Sequence, residues 1–180
     1  PLQGHIGSDG DPFASHGYRH FMEQTPERDN IKYSILTNAL MFKEFHTRVP
    51  YVINNLQELG VSIDGATKDT YEKLRLGGRY DKVLEGLASI SELRKKHNFA
   101  FILHFVVQKG NYHEMEDIID LGRQYGADRV SLNRITDWQT YDDFGWHDAV
   151  APGHPEHVQF KEQFAKIETD SAFVSYPTLV

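Results

Sequence analysis

Apolar positions along the chain follow two alternating patterns. Short runs at residues 31–36, 59–63, 99–107 and 129–135 are rich in apolar, β-branched or aromatic residues and each predicts a strand, and a short strand is expected at 2–6, in a stretch that mixes apolar residues with glycines. Between them, apolar residues recur three and four positions apart, as on one helix face. Such segments lie at about 15–24, with Ser15 as cap, and within 43–54, restarted at Pro50. The clearest runs over 79–97, with Val83, Leu84, Leu87, Ile90 and Leu93 on one side and Lys82, Glu85, Glu92 and Lys96 opposite. Two capping boxes are predicted: Asp69 with Glu72, opening the helix after the third strand, and Asn111 with Glu114, opening one that reaches Tyr125. In the latter, Met115, Ile118, Ile119 and Leu121 face inward and Gly126 ends it.

Strand then helix, repeated about five times, implies parallel strands joined by right-handed crossovers. The expected class is α/β: an incomplete parallel (β/α) TIM-like barrel over residues 1–135, followed by an irregular extension over 136–180 with one helix near 155–167. An incomplete barrel leaves its first strand unpaired on one side, so association through that edge is expected. In the extension, Trp138 and Trp146 read as packing residues.

Composition narrows the function classes. The chain has 180 residues, enough for one substantial core, and a net charge of −7 without a basic stripe, which disfavours nucleic acid. No apolar run approaches the ~20 residues of a membrane helix, so the chain reads as cytoplasmic and without a membrane partner. Cysteine is absent, which removes disulfides, thiolate metal sites and a cysteine nucleophile.

The candidate chemistry sits at strand ends: G-S-D-G-D-P (7–12), T-N-A (37–39), V-S-I-D-G (61–65) and V-V-Q-K-G-N (106–111). Taken singly, each reads as turn or cap chemistry: Ser62 bonding strand neighbours, Asp64 closing a turn, Arg75 a solvated cation at a helix end. A parallel barrel, however, gathers its strand ends at one rim, where such folds bind ligands.

Together these segments resemble the radical S-adenosylmethionine (SAM) enzymes, in the branch carrying a SPASM or twitch tail. The resemblance spans residues 2–135 and is most specific in V-S-I-D-G-A-T-K-D-T-Y-E-K-L-R-L-G-G-R-Y-D-K-V-L-E-G-L and F-V-V-Q-K-G-N-Y-H-E-M. It implies a SAM site. Asp9-Gly10-Asp11-Pro12 stands where the family has Gly-Gly-Glu-Pro, so Gly10 and Asp11 or nearby backbone would receive the SAM amino group. Thr37-Asn38-Ala39 matches Thr-Asn-Gly, Ser62 would bond the ribose or carboxylate, and Arg75 would pair with the carboxylate. Asp64 would line the substrate side and is the candidate catalytic group, while Leu132 and Asn133 fall where the family holds adenine.

One departure is large. The family's C-x-x-x-C-x-x-C loop, whose thiolates hold a [4Fe-4S] cluster, has no counterpart in this sequence, so the cluster is not bindable by this chain alone. Two readings stand: a piece of a larger radical SAM enzyme acting on an unknown substrate, with a peptide among those expected, or a cluster-less binding or scaffolding module. A third is a conventional TIM-barrel lyase, for which Lys109-Gly110 is the only phosphate-loop hint. The short His spacings at His16 and His20 and at His154 and His157 match no recognised ligand pattern, and no metal site is assigned.

Overall fold

The computed structural model describes residues 2–7, 10–27, 30–139, 141–167 and 172–179. Asp9 and Ser8 of the first strand-end motif lie outside the described residues. Six strands are described, β1 (Leu2–Ile6), β2 (Ile31–Thr37), β3 (Leu56–Ser62), β4 (Ala100–Val107), β5 (Arg129–Arg134) and β6 (Val174–Ser175). They form one sheet whose spatial order repeats the chain order, with helices alternating along the chain. The fold class is therefore parallel α/β, as expected, with one strand more than the five read from the sequence. At two residues, β6 is too short to show a period; it is a strand because Val174 and Ser175 pair in parallel with Val130 and Ser131.

The chain divides into two compact units, Pro1–Ser62 with Arg79–Ile102, and Ile63–Gly78 with Leu103–Val180. In the first, β1 pairs in parallel with β2 from Leu2↔Ile31 to Ile6↔Ile35. β2 pairs with β3 from Tyr33↔Leu56 to Thr37↔Val61, with an irregularity between Tyr33 and Ser34. The third strand starts three residues earlier than its apolar run suggested, because Leu56 is buried while Gln57 is exposed and Glu58 half-buried. Four helices belong to this unit: α1 (His16–Gln24), capped by Ser15 Oγ accepting from the Tyr18 N–H; α2 (Phe42–Phe45); α3 (Pro50–Asn54), with Pro50 in its first turn; and α5 (Tyr80–Arg94). α5 buries Val83, Gly86, Leu87 and Ile90. Gly86 lies so close to the Ala39 carbonyl that a Cβ there would collide with it.

The second unit holds α4 (Lys68–Leu74), α6 (Met115–Gln124), α7 (Phe144–His147) and α8 (His157–Ile167). Neither predicted capping box forms. Thr67, not Asp69, caps α4 by accepting from the Thr70 N–H at 3.4 Å, so the helix opens one position before Asp69. Asn111 makes no cap, because its side-chain oxygen accepts from the Gln108 N–H at 2.8 Å and a 3₁₀ turn over Tyr112–Glu114 precedes α6. The inward row of α6 is Met115, Ile118, Ile119 and Gly122, leaving Leu121 half-buried. Gly122 is required there, since a Cβ would stand 2.7 Å from Val130 Cγ2. Trp138 and Trp146 are not core residues: they are 78% and 53% exposed. Among the described residues no helix is long and apolar enough to cross a membrane.

Candidate functional site

In the first unit, Asp11 organises the loop after β1. Its Oδ1 accepts from the Phe13 and Ala14 N–H groups, both at 3.0 Å, and its Oδ2 accepts from Thr37 Oγ1 and the Asn38 N–H, both at 2.6 Å. The carboxylate thus ties the end of β1 to the end of β2. It has spent an acceptor site on each of four donors from its own chain, so its main work is to shape this corner. Thr37 Oγ1 in turn accepts from the Ala39 N–H at 3.0 Å and Asn38 Oδ1 from the Leu40 N–H at 3.0 Å. Ala39 has φ 60°, a left-handed conformation normally taken by glycine, which matches its place in a Thr-Asn-Gly-like turn. Gly10 has φ +119°, and among the described residues other than its chain neighbours no atom lies within 4 Å of where a Cβ would stand.

Ser62, the last residue of β3, is half-buried. The residues that follow it belong to the second unit, where Asp64 and Arg75 meet. Arg75 Nε donates to Asp64 Oδ2 at 2.8 Å, its Nη2 lies in ion-pair contact with the same oxygen at 2.8 Å, and Asp64 Oδ1 accepts from the Val106 N–H at 3.0 Å. A guanidinium has five N–H donors, and one of them makes the hydrogen bond to Asp64. Asp64 therefore holds Arg75 in one orientation and leaves its remaining donors for a second acceptor. The carboxylate itself is engaged through both oxygens, which suits a positioning role better than proton transfer. Asn111, fully buried, braces the same corner by donating to the Asp64 carbonyl at 3.0 Å and the Val106 carbonyl at 2.9 Å.

Sequence reasoning named Glu114 only as half of a capping box and missed its partners in the loop before α4. Only 4% exposed, its carboxylate accepts from the Ala66 N–H at 2.7 Å, the Thr67 N–H at 3.3 Å, and the Thr67 and Thr70 hydroxyls at 2.6 Å. Burial pushes its pKa up, but the threonine hydroxyls and the two backbone donors outweigh that and hold it below the usual carboxylate range. The loop from Asp64 to α4 is thus clamped from α6. A Thr-x-x-Thr pair and a glutamate more than forty residues away carry no local signal of this contact.

Leu132 and Asn133 lie on β5. Leu132 is fully buried, so only its backbone could meet a ligand, while the Asn133 amide nitrogen donates to the Ser131 carbonyl at 3.3 Å and Oγ at 3.2 Å. Lys109, the phosphate-loop hint, is committed elsewhere. Its ammonium sits 2.9 Å from the Trp146 ring centroid and 3.2 Å from Glu156 Oε1. His154 is also spent structurally, accepting from the Glu156 N–H at Nδ1, so its Nε2 carries the proton donated to the Trp146 carbonyl. Among the described residues no group of three or more His, Asp or Glu side chains is gathered to hold a metal.

No protein-family profile matches the chain. An AdoMet-dependent heme synthase from Methanosarcina barkeri (strain Fusaro / DSM 804) is 33% identical over 73 residues, 40% of this chain and 20% of that protein. Streptococcus suis SuiB bound to S-adenosylmethionine has a similar fold, with a TM-score of 0.63 at 14% identity over 98% of this chain and 39% of that one. TYW1 with a lysine-pyruvate adduct gives a TM-score of 0.57 at 12% identity over 92% of this chain and 50% of that one. The chain thus spans a fifth of the curated relative's length and half or less of these two structures. The sequence match and the shared partial barrel together relate this chain to the radical SAM superfamily.

Proposed function

We propose that the chain supplies the SAM and substrate side of a radical SAM enzyme, in which SAM is cleaved reductively to begin radical chemistry on a further substrate. The observation that carries this reading is Arg75, held by an Nε hydrogen bond and an ion pair to Asp64 Oδ2 and retaining N–H donors suited to a planar carboxylate. In this reading Arg75 binds the SAM carboxylate, Asp64 orients Arg75, and Ser62 bonds the ribose or carboxylate. The Gly10 backbone, in a corner shaped by Asp11 and Asn38, receives the amino group, with β5 backbone at Leu132 and the Asn133 amide beside adenine. Bound SAM would supply the 5'-deoxyadenosyl group that abstracts hydrogen from substrate. The residues of this chain do not fit the iron-sulfur cluster that such cleavage requires: it has no cysteine, so no step performed by these residues passes through the cluster.

SuiB is also known bound to its precursor peptide SuiA, which favours a peptide as the substrate class for this chain. The exposed edge of β1 is the surface proposed for self-association or pairing, and the cytoplasm is the proposed location. The cysteine-free composition favours a second reading, a binding or scaffolding module that retains the SAM pocket without chemistry.

Titration calorimetry with SAM tests the pocket. Saturable binding by the intact chain, weakened at least about tenfold in Arg75→Met, supports it. No binding, or equal binding by the variant, overturns it. Supplying a segment with the three-cysteine loop and measuring 5'-deoxyadenosine separates the enzyme from the module.

A further inference from the structure

The second unit contains a cavity of about 550 Å³ that is lined by none of the residues assigned to SAM. It lies beside α8, and its floor includes Phe160 and Phe164 from that helix and Leu179 from the last described segment. Its polar lining is unusual for an acidic protein. Arg134, His157 and Lys161 all border it, and among the described residues that line it there is no Asp or Glu side chain. Lys161 is the cation of this lining that has no carboxylate partner among the described residues.

The three groups differ in how far they are already used. Arg134 is locked by Asp148, its Nε donating to Oδ1 at 2.9 Å and its Nη2 paired with Oδ2, which raises its pKa. That pairing fixes the guanidinium and neutralises much of it. Lys161 lies four residues after His157 on α8, so the two share a helix face, and its ammonium has no hydrogen bond or ion pair among the described residues. The His157 ring packs at 6.1 Å from Phe160, and its Nδ1 is buried without a partner. A buried, unpaired ring nitrogen is costly, and a turn of the ring toward an acceptor in the cavity would relieve it.

We propose that this cavity binds a small organic carboxylate with an aromatic or branched apolar body. The body would fill the space over Phe160, Phe164 and Leu179, and the carboxylate would pair with the Lys161 ammonium and accept from the His157 ring, with Arg134 as the fixed positive flank. The volume suits one such molecule, and the combination of apolar walls with a few convergent polar groups is the usual form of a small-molecule site. This site is separate from the SAM reading and does not depend on it.

Calorimetry or ¹⁵N NMR titration of the full chain with 3-phenylpropionate, its uncharged amide and acetate tests the proposal. The acid should bind saturably, the amide and acetate each at least about tenfold more weakly, and binding should weaken with added salt. Lys161→Gln, at an exposed position, should cost about tenfold in affinity without lowering the melting temperature, while Lys161→Arg keeps binding. Comparing 3-phenylpropionate with N-acetylphenylalanine distinguishes a free aryl acid from a peptide carboxyl terminus as the natural source. Equal affinity for acid and amide, an unaltered Lys161→Gln variant, or no saturable binding at millimolar concentration would overturn the proposal.

Discussion

Replacing Glu114 by glutamine isolates the clamp between α6 and the loop leading to α4. The carboxylate accepts four hydrogen bonds, two from backbone and two from threonine hydroxyls. A glutamine amide keeps one oxygen and turns an NH₂ toward the remaining donors. Bonds to a charged acceptor contribute about 1.5–3 kcal/mol each, so losing two would cost roughly 3–6 kcal/mol. The hydroxyls can rotate to accept from the new NH₂, and the neutral side chain is easier to bury, which brings the expected loss to about 2–4 kcal/mol. For a chain of this size that corresponds to a fall in melting temperature of roughly 5–15 °C. Both tryptophans lie in the same unit as Glu114, so urea unfolding followed by tryptophan fluorescence reports on the relevant region. The pH dependence adds a second check. Because the Glu114 pKa is lowered in the folded state, its contribution is present above its ordinary value of 4.5 and is lost as pH falls through the folded pKa. The stability gap between the native chain and Glu114→Gln should therefore be full at neutral pH and shrink in acid. A gap below about 0.5 kcal/mol at neutral pH, or one that does not change with acid, would refute the reasoning.

Asp11→Asn should loosen the turn after β2: amide hydrogen exchange at Asn38, whose N–H donates to Asp11 Oδ2, is expected to accelerate at least about tenfold, and unchanged exchange would contradict the described role. Gly86→Ala places a methyl against the Ala39 carbonyl and 2.9 Å from the Ala39 Cβ. Both lie in a buried turn, so thermal denaturation should show a loss of about 1–3 kcal/mol. Arg75→Lys replaces a planar guanidinium fixed on Asp64 Oδ2 by a flexible ammonium, and SAM affinity should fall about tenfold while the melting temperature moves little. A melting shift as large as that of Glu114→Gln would instead mark Arg75 as chiefly structural.

Much of the architecture was readable residue by residue. The buried run of β4 is visible because its composition suits a strand whatever lies around it, and Ser15, Pro50 and Gly126 act through local backbone chemistry. The capping boxes misled for a definite reason. A side chain with the right spacing caps a helix only if no better partner competes, and Glu114 found Thr67 and Thr70 while Asn111 found Gln108, Asp64 and Val106. Trp146 misled similarly, since an apolar face offers no sign that Lys109 will cover it.

Periodicity, turn chemistry and a missing residue type are properties of neighbouring positions, so they settled the strand-helix alternation, the parallel class and the exclusion of a thiolate-held cluster before any coordinates existed. Partnerships across tens of residues were settled by packing. Asp11 acts as a corner brace, Asp64 as the holder of Arg75, and Glu114 as a clamp because the fold brings their donors within 3.3 Å of them. Two-residue β6 exists only because Val130 and Ser131 stand ready to pair with it. A carboxylate accepts from whichever donors come within reach, and reach is set by the path of the whole chain.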